Sequence, residues 1–262
     1  MLRGLYSSAT GMKAQETLID VTANNLANVN TNGFKRSQVD FADLLYSTIR
    51  QAGNQNVTGQ TSPVGLQIGS GVRPVGTTKL FSTGSFQQTN NPTDIAIEGA
   101  GFFRVQMADG TYRYTRDGAF GMDALGNLVT RDGYLLADAV TIPPGAVNLT
   151  IGQNGLLEAV VNGQMTQVGQ LQLYNVPNPA GLSSEGGNLY AETAASGVAV
   201  AGNPGDGTQG LGVLRSGFLE KSNVEVVTEL ISLITAQRAY EINSRAIRAG
   251  DEMLSTTTDI VR

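Results

Sequence analysis

The sequence predicts an α+β protein with a long helix at each end, a β-rich body between them and an extended segment that connects the first helix to the body. Apolar residues recur at alternating steps of three and four in both terminal segments, which is the spacing of a coiled-coil seam. The middle contains strand-like segments separated by short turns, and most of the 33 glycines lie there.

The first helix is predicted from Leu2 to about Asn28. Its seam contains seven apolar residues at the required spacing: Leu2, Leu5, Ala9, Met12, Ile19, Ala23 and Leu26. The helix is expected to end in the segment 28–33, because Asn and Gly tolerate the left-handed conformation that terminates helices.

The second helix is predicted over residues 223–257. Ser222 and Glu225 have the spacing of a capping box, which satisfies two free amides at a helix start. One apolar seam follows, with Val226, Leu230, Leu233, Tyr240, Ile247 and Leu254. A second stripe of Val227, Ile231 and Ile234 widens the apolar surface of the first turns.

Two hairpins are predicted in the body. Residues 102–107 and 111–116 flank Asp109-Gly110, and residues 156–161 and 164–168 flank Asn162-Gly163. Asp-Gly and Asn-Gly are the strongest short signals for a turn between antiparallel strands.

The composition excludes several classes of function. The chain contains neither Cys nor His, which removes disulfides, thiolate metal sites, cysteine nucleophiles and the commonest general base. A net charge of -5 without basic clusters argues against a nucleic-acid surface. The start of the chain lacks the apolar core of a secretory signal, so a cytosolic protein and export without a cleaved signal both remain open.

Five acidic residues are candidates for catalysis or calcium binding: Asp94, Glu98, Asp117, Asp123 and Asp132. A glycoside hydrolase needs two carboxylates across a cleft, and an EF-hand needs its ligands within about 12 residues. Asp117 and Asp132 instead precede glycines, and Asp123 lies shortly before Gly126, which is ordinary turn chemistry. We therefore expect no catalytic, cofactor-binding or metal-binding residues and no enzyme activity.

The terminal seams must be buried somewhere, and two arrangements satisfy them. The helices pair with each other and with neighbouring copies of the chain, which produces an open filament if the rotation does not close. Alternatively, they form an ordinary intramolecular hairpin. In the first case the assembly contacts are Leu5, Met12, Ile19, Leu26, Leu230, Leu233, Tyr240 and Ile247.

Six segments resemble the family of flagellar rod and hook proteins. Residues 23–35 resemble its N-terminal signature, carried by Asn24, Asn25, Leu26, Ala27, Asn28, Gly33 and Phe34. Residues 237–244 resemble its C-terminal signature, carried by Gln237, Arg238, Tyr240, Glu241 and Asn243. Residues 97–103 and 114–118 resemble stretches of its β module, and residues 41–51 and 63–74 resemble the segment that follows the first helix in distal-rod members.

The resemblance implies a structural subunit that polymerises into a rigid helical tube crossing the periplasm. It implies an N-terminal D0 helix over 1–33, an extended connector over 34–75, a β-rich D1 domain over 76–221 and a C-terminal D0 helix over 222–262. It also implies export by the flagellar type III apparatus, proximal-rod proteins below, the hook or its junction above, and surrounding P- and L-ring proteins. No nucleic acid and no transmembrane segment are expected.

Two questions remain open at this stage, one about the whole chain and one about residues 46–74. A terminal-helix adaptor that pairs with a different protein shares every helix feature. Residues 46–74 are expected to form a connecting loop or hairpin that fills gaps between subunits, and the alternative for them is a solvated flexible linker.

Overall fold

The computed structural model describes residues 2–53, 63–138, 140–161, 163–207 and 209–260. Helix α1 spans Leu2–Ala27 and helix α2 spans Val226–Ile260, with a β-rich middle between them, which confirms the α+β fold class. A single turn of 3-10 helix lies at Pro179–Gly181.

The strands are short and are given in chain order. They are β1 Ser37–Asp43, β2 Tyr46–Arg50, β3 Leu66–Gly69, β4 Val72–Lys79, β5 Phe86–Gln88, β6 Ile95–Glu98, β7 Phe103–Gln106, β8 Tyr112–Thr115, β9 Gly121–Met122, β10 Leu128–Val129, β11 Leu135–Leu136, β12 Val147–Ile151, β13 Leu156–Val161, β14 Gln164–Gln170, β15 Leu173–Asn175, β16 Ser183–Gly186, β17 Leu189–Ala191, β18 Val200–Gly202, β19 Val213–Ser216 and β20 Phe218–Glu220.

The chain divides into two compact units. The first comprises the described residues within 1–26, 37–78 and 225–262, and so contains both helices. Strands β1 and β4 pair in this unit, and β2 pairs with β3 as an antiparallel hairpin. Gly71 has a φ of +110°, and a β-carbon there would overlap the Thr10 hydroxyl, so α1 passes directly over the start of β4.

The second unit comprises the described residues within 27–36 and 79–224. Its main sheet has seven strands in the order β16-β17-β8-β7-β11-β10-β9, and its neighbouring strands are antiparallel. A three-stranded sheet of β12, β13 and β14 and several two-stranded pairs complete it.

The core of the second unit is formed by apolar side chains from both kinds of sheet. Ile95, Phe103, Val105, Leu157 and Leu171 are all fully buried. The Phe103 and Phe120 rings pack edge to face with centroids 5.1 Å apart, a favoured aromatic geometry. This core positions the surrounding turns and the polar groups described below.

Both predicted hairpins are present. The loop of the first is longer than predicted, because β7 ends at Gln106 and β8 begins at Tyr112. Within that loop the Met107 amide donates to the Thr111 carbonyl at 2.8 Å. In the second, β13 pairs with β14 from Leu156↔Gln170 to Val161↔Gln164. Its predicted turn includes Asn162, which lies outside the described residues.

The second helix begins three residues later than predicted. The Glu229 amide donates to the Glu225 carbonyl at 3.0 Å, so Glu225 occupies the position just before the helix. The Ser222 hydroxyl accepts the Val224 amide at 3.3 Å, within the connecting segment. The capping-box prediction for Ser222 and Glu225 is therefore wrong, because a local hydrogen bond occupies the serine before the helix starts.

Candidate functional site: a helical hairpin and a polar junction

The two helices of the first unit pack against each other antiparallel. A β-carbon at Gly11 would lie 3.0 Å from Asn243 Nδ2, and one at Gly250 would lie 2.6 Å from Leu5 Cδ2. At the other end of the hairpin, Asn25 Nδ2 donates to Glu229 Oε2 at 3.3 Å. The helices thus meet along their length.

The surface that each helix turns to the other, here called the inner face, is built from small and polar residues. Its most buried members are Ala14, Thr22 and Asn25 on α1 and Glu229, Ala236 and Gly250 on α2. Small residues allow helix axes to approach closely, but they bury little apolar area. Packing within one chain therefore leaves several of the larger apolar side chains of α2 exposed.

The opposite surface of α2 carries these side chains. Val227, Ile231 and Ile234 are 63%, 58% and 48% exposed, and we call them the outer stripe. At about 100° per residue, they point away from Glu229 and Ala236. Two turns further on, the same side of α2 carries exposed charged residues, among them Glu241 and Arg245.

The eight predicted assembly residues are four on α1 and four on α2, and each is partly exposed. Leu230 and Tyr240 are 41% and 42% exposed. The other six are half-buried: Leu5, Met12, Ile19, Leu26, Leu233 and Ile247. The structure brings Leu5 against Gly250 within the hairpin. The prediction that these residues contact neighbouring subunits stays a prediction.

The family-signature residues divide into two groups. In the N-terminal signature, Asn25, Gly33 and Phe34 are buried, Leu26 and Asn28 are half-buried, and Asn24 and Ala27 are exposed. In the C-terminal signature, Gln237, Arg238, Tyr240 and Glu241 are exposed and Asn243 is half-buried. Part of the N-terminal signature is therefore buried inside the single chain, whereas most of the C-terminal signature lies on its surface.

A buried ionic cluster lies in the second unit, and we call it the polar junction: Lys35, Arg116 and Glu220. Lys35 Nζ donates to Glu220 Oε1 at 2.7 Å and to the Ser82 carbonyl at 2.8 Å. The Gly84 amide donates to the same Glu220 oxygen at 2.9 Å, and Arg116 Nη1 lies 3.6 Å from Glu220 Oε2. All three charged side chains are at most 3% exposed.

The electrostatics of the polar junction are asymmetric, because two cations share one carboxylate. Burial lowers the pKa of the Lys35 ammonium, the neighbouring Arg116 lowers it further, and Glu220 opposes both. Arg116 is additionally held by the Gly99 carbonyl at 2.6 Å. Such a cluster is stable only while each charge keeps its partners.

Backbone hydrogen bonds around the polar junction join the segment that follows α1 to the segment that precedes α2. The Gly33 amide donates to the Glu220 carbonyl at 2.8 Å, and the Arg36 amide donates to Asn223 Oδ1 at 2.7 Å. Asn223 Nδ2 in turn donates to the Leu80 carbonyl at 2.8 Å. These hydrogen bonds hold residues 33–36 and 220–223 together within the second unit.

Sequence reasoning missed this cluster and the buried Asn25–Glu229 pair. Lys35 and Arg116 stood inside the recognised family segments, but nothing in the sequence distinguished them from solvated surface charges. A charged residue reveals its burial only when its distant partner is known, and Lys35 and Glu220 are 185 positions apart.

The acidic candidates adopt turn and surface roles. Asp117 Oδ1 accepts the Ala119 amide at 3.0 Å, and Asp123 Oδ1 accepts the Leu125 amide at 2.8 Å, which confirms the turn interpretation for both. Glu98 pairs with Arg215 at 2.6 Å on the surface. Burial raises the pKa of Asp117, whereas hydrogen bonds from Asn127 lower the pKa of Asp123.

Across the described ranges, no group of three or more Asp or Glu side chains is placed to hold a metal ion. Within those ranges, neither helix is long and apolar enough to cross a membrane.

Paired terminal helices that carry an exposed apolar stripe, joined to a β body, are the architecture of a structural subunit. Comparison with protein-family models gives three matches in chain order. Residues 5–35 match the flagella basal body rod protein model, residues 96–159 match the flagellar hook protein FlgE/F/G D1 domain, and residues 215–260 match the C-terminal model of flagellar basal body rod FlgEFG proteins.

Full-length relatives give the particular family. The chain is 47% identical to the flagellar basal-body rod protein FlgG of Buchnera aphidicola subsp. Schizaphis graminum, over 99% of this chain and 100% of the relative. It is 42% identical to FlgG of Borreliella burgdorferi and 41% identical to FlgG of Bacillus subtilis, each over 100% of both chains. The chain belongs to the FlgG family of flagellar basal-body rod proteins. The family is structural, which confirms the expectation that the chain is not an enzyme.

Proposed function

We propose that the chain is a subunit of the distal rod of the flagellum and that its copies polymerise through their terminal helices into a rigid helical tube. This tube crosses the periplasm and transmits motor torque to the hook. The observation that carries the proposal is the outer stripe of α2, whose three apolar side chains are about half exposed or more in the single chain.

A neighbouring copy is the occupant that suits the outer stripe. The inner face of α2 already meets α1 in the same chain, so the stripe is free for a second helix. Burial of apolar surface stabilises an assembly by about 25 cal/mol per Å², and a repeated stripe gains this at every subunit contact. A shaft under torque needs many such contacts.

The C-terminal signature supports the same proposal. Gln237, Arg238 and Glu241 are exposed in the single chain and continue the exposed surface of α2 beyond the outer stripe. In a helical tube, Arg238 and Glu241 have donors and acceptors available for pairing with charges of adjacent helices. We therefore assign the signature to contacts between subunits.

We also propose that the β2–β3 hairpin fills space between subunits, as expected for residues 46–74. Ile49, Leu66 and Ile68 are 57%, 49% and 41% exposed, although they are apolar. An isolated two-stranded hairpin is only marginally stable in water, so a partner surface would stabilise it. Residues 54–62 of this segment lie outside the described residues.

The remaining partners and the location follow from the same proposal. Proximal-rod proteins adjoin the tube below, the hook or its junction adjoins it above, and the P- and L-ring proteins surround it. The chain reaches the periplasm through the flagellar type III export apparatus without a cleaved signal. The division into helices over 1–33 and 222–262, a connector over 34–75 and a β domain over 76–221 belongs to this proposal.

The proposal is tested by deleting the gene, purifying basal bodies and imaging them by electron microscopy beside a swimming assay. We expect a non-motile strain whose basal bodies lack the distal rod and hook, and rescue by the intact gene. A full-length rod without a hook would reassign the chain to the hook side. Intact flagella, together with a heteromer of fixed size in solution, would favour the adaptor instead.

A further inference from the structure

An arginine of the β body is held in place by two aromatic rings. Arg104 lies on β7 and is half-buried. Its guanidinium carbon lies 4.4 Å from the centroid of the Tyr112 ring and 4.3 Å from that of the Tyr174 ring. Stacking on aromatic faces restricts the orientation of a guanidinium group but uses none of its N–H donors. Arg104 is therefore an oriented cation whose donors remain available.

These donors have no acceptor in the part of the chain that the structure describes. The Arg104 Nε atom is buried there without a hydrogen-bond partner, and the guanidinium group forms no ion pair. Asp138 is near enough for its charge to act on Arg104, but its two oxygens accept the Tyr174 hydroxyl at 3.2 Å and the Gln172 amide at 3.0 Å. The forked donors of a guanidinium group match a carboxylate, so the ligand that suits Arg104 is a carboxylate that has no other partner.

Two of the described carboxylates in the second unit, Asp132 and Glu158, accept no hydrogen bond and form no ion pair. Asp132 lies in the turn between β10 and β11 and has Arg131 as its chain neighbour. Glu158 is exposed on β13, and the residues opposite it on the adjacent strands are Thr150 and Gln167, which are uncharged. Glu158 is therefore the carboxylate that lacks a cation nearby.

Arg104 and Glu158 leave the β body on different sides. Successive side chains of a strand point to opposite faces of its sheet. Phe103 and Val105 on β7 and Leu157 on β13 belong to the same hydrophobic core, so the residues between or beside them point away from that core. The two charged residues lie on different sheets and do not pair within one chain. Complementary groups on different sides of one body suit a heterologous contact, which repeats from copy to copy along an open assembly.

We propose that Arg104 of one copy binds the Glu158 carboxylate of the next copy, so that the β bodies join head to tail. This contact rests on the proposed function, because it requires that copies assemble, but it adds an interface made by strands to the one made by the helices. Both groups project from strands, and the rings of Tyr112 and Tyr174 already restrict Arg104. The contact therefore costs little side-chain freedom when it forms.

The first test reverses the charges in cells that carry the variant as the sole copy. Glu158→Arg is the primary variant, because the cross-strand neighbours of Glu158 are uncharged, whereas Arg104→Glu also places a carboxylate near Asp138. We expect Glu158→Arg to lower the number of complete rods per cell at least about threefold, since one ion pair is lost at every contact. Adding Arg104→Glu should bring the number back to within about twofold of the unmodified chain. Asp132→Arg reverses the other unpaired carboxylate and should leave the number unchanged.

The circular dichroism and urea unfolding of purified Glu158→Arg should match those of the unmodified chain, so that a loss of rods reports assembly. A second test keeps both charges in place. Gln106 is exposed two residues along β7 from Arg104, and Gln167 is exposed directly opposite Glu158. The sequence contains no cysteine, so Gln106→Cys with Gln167→Cys allows a short bismaleimide to link these two positions alone.

Purified basal bodies that carry both cysteines should give a ladder of linked copies on a denaturing gel. Either cysteine alone, or Gln106→Cys with Asp132→Cys, should give no ladder. Normal rods from Glu158→Arg, no recovery in the double reversal, or rods without a ladder from the pair at 106 and 167 would each overturn the proposal. If deletion of the gene still removes the distal rod in that case, the proposed function stands and this contact alone is disproved.

Discussion

Replacing Glu220 by glutamine should destabilise the β body severely. In the part of the chain that the structure describes, the Glu220 carboxylate is the anion that pairs with both Lys35 and Arg116, and it also accepts the Gly84 amide. Glutamine keeps the shape and one acceptor, but it leaves two buried cations without a countercharge. Removing one partner of a buried ion pair costs about 3–5 kcal/mol, a large part of the total stability of a domain.

The matched variant is Lys35→Met, which fills similar space and leaves Arg116 and Glu220 as a neutral pair. Its expected cost is smaller, about 1–2 kcal/mol, because the hydrogen bonds to Glu220 and the Ser82 carbonyl are lost without creating an unpaired charge. In the glutamine background, removing the Lys35 charge relieves repulsion, so the double variant should cost at least about 1 kcal/mol less than the sum of the single variants.

Both expectations are measured by urea unfolding of the full-length chain at neutral pH, followed by circular dichroism and tyrosine fluorescence. The reasoning about the polar junction is refuted if Glu220→Gln changes the free energy of unfolding by less than about 1 kcal/mol, or if the two substitutions are additive. If a variant changes the slope of the unfolding free energy against urea concentration, its unfolded or native state is altered. The stabilities of the variants would then be compared by hydrogen exchange instead.

Three further predictions concern other parts of the chain. Ile49→Thr with Ile68→Thr should leave unfolding of the β body unchanged but reduce the yield of straight rods in basal-body images, and normal rods would disprove the role of the hairpin. Gly71→Ala should lower the free energy of unfolding in urea by about 1–3 kcal/mol, because Gly71 has a φ of +110° and the added methyl meets Thr10. Adding Thr10→Ala should recover part of the loss. An unchanged urea midpoint for Gly71→Ala would contradict the close approach of Gly71 to Thr10. Burial raises the pKa of Tyr190 to about 12, so the folded state holds the phenol proton more tightly than the unfolded state does, and the free energy of unfolding should fall between about pH 10 and 12. In alkaline unfolding, Tyr190→Phe should reduce the slope of this free energy against pH by up to about 1.4 kcal/mol per pH unit. An identical slope in the variant would place the Tyr190 phenol in solvent.

The helices were predictable because large apolar residues recur along both of them at regular spacing. Val227, Ile231 and Ile234 were recognised as a stripe, and the structure places them on one exposed surface. The inner face was not recognised, because Thr22, Asn25 and Glu229 look like surface residues in a hydropathy pattern. The three-four rhythm therefore located the helices and the outer stripe, but it did not reveal the polar residues that are buried between the helices.

The start of α2 and the polar junction were missed for different reasons. Ser222 has the sequence of a helix cap, but its hydroxyl is engaged by Val224 within the preceding segment. The burial of Lys35 depends on Glu220, which becomes its neighbour only after the strands between them have folded. Local patterns report local structure, and neither contact could be derived from the residues adjacent to it.

The central claim is that the outer stripe joins copies of the chain, and its most direct test is Ile231→Glu expressed as the sole copy in cells. Ile231 points away from α1, unlike the half-buried Leu233, so the substitution should leave the circular dichroism of the purified chain unchanged. The account predicts basal bodies that lack the distal rod, while Ile231→Leu assembles normally. Full-length rods containing the glutamate variant would show that the outer stripe does not join the subunits.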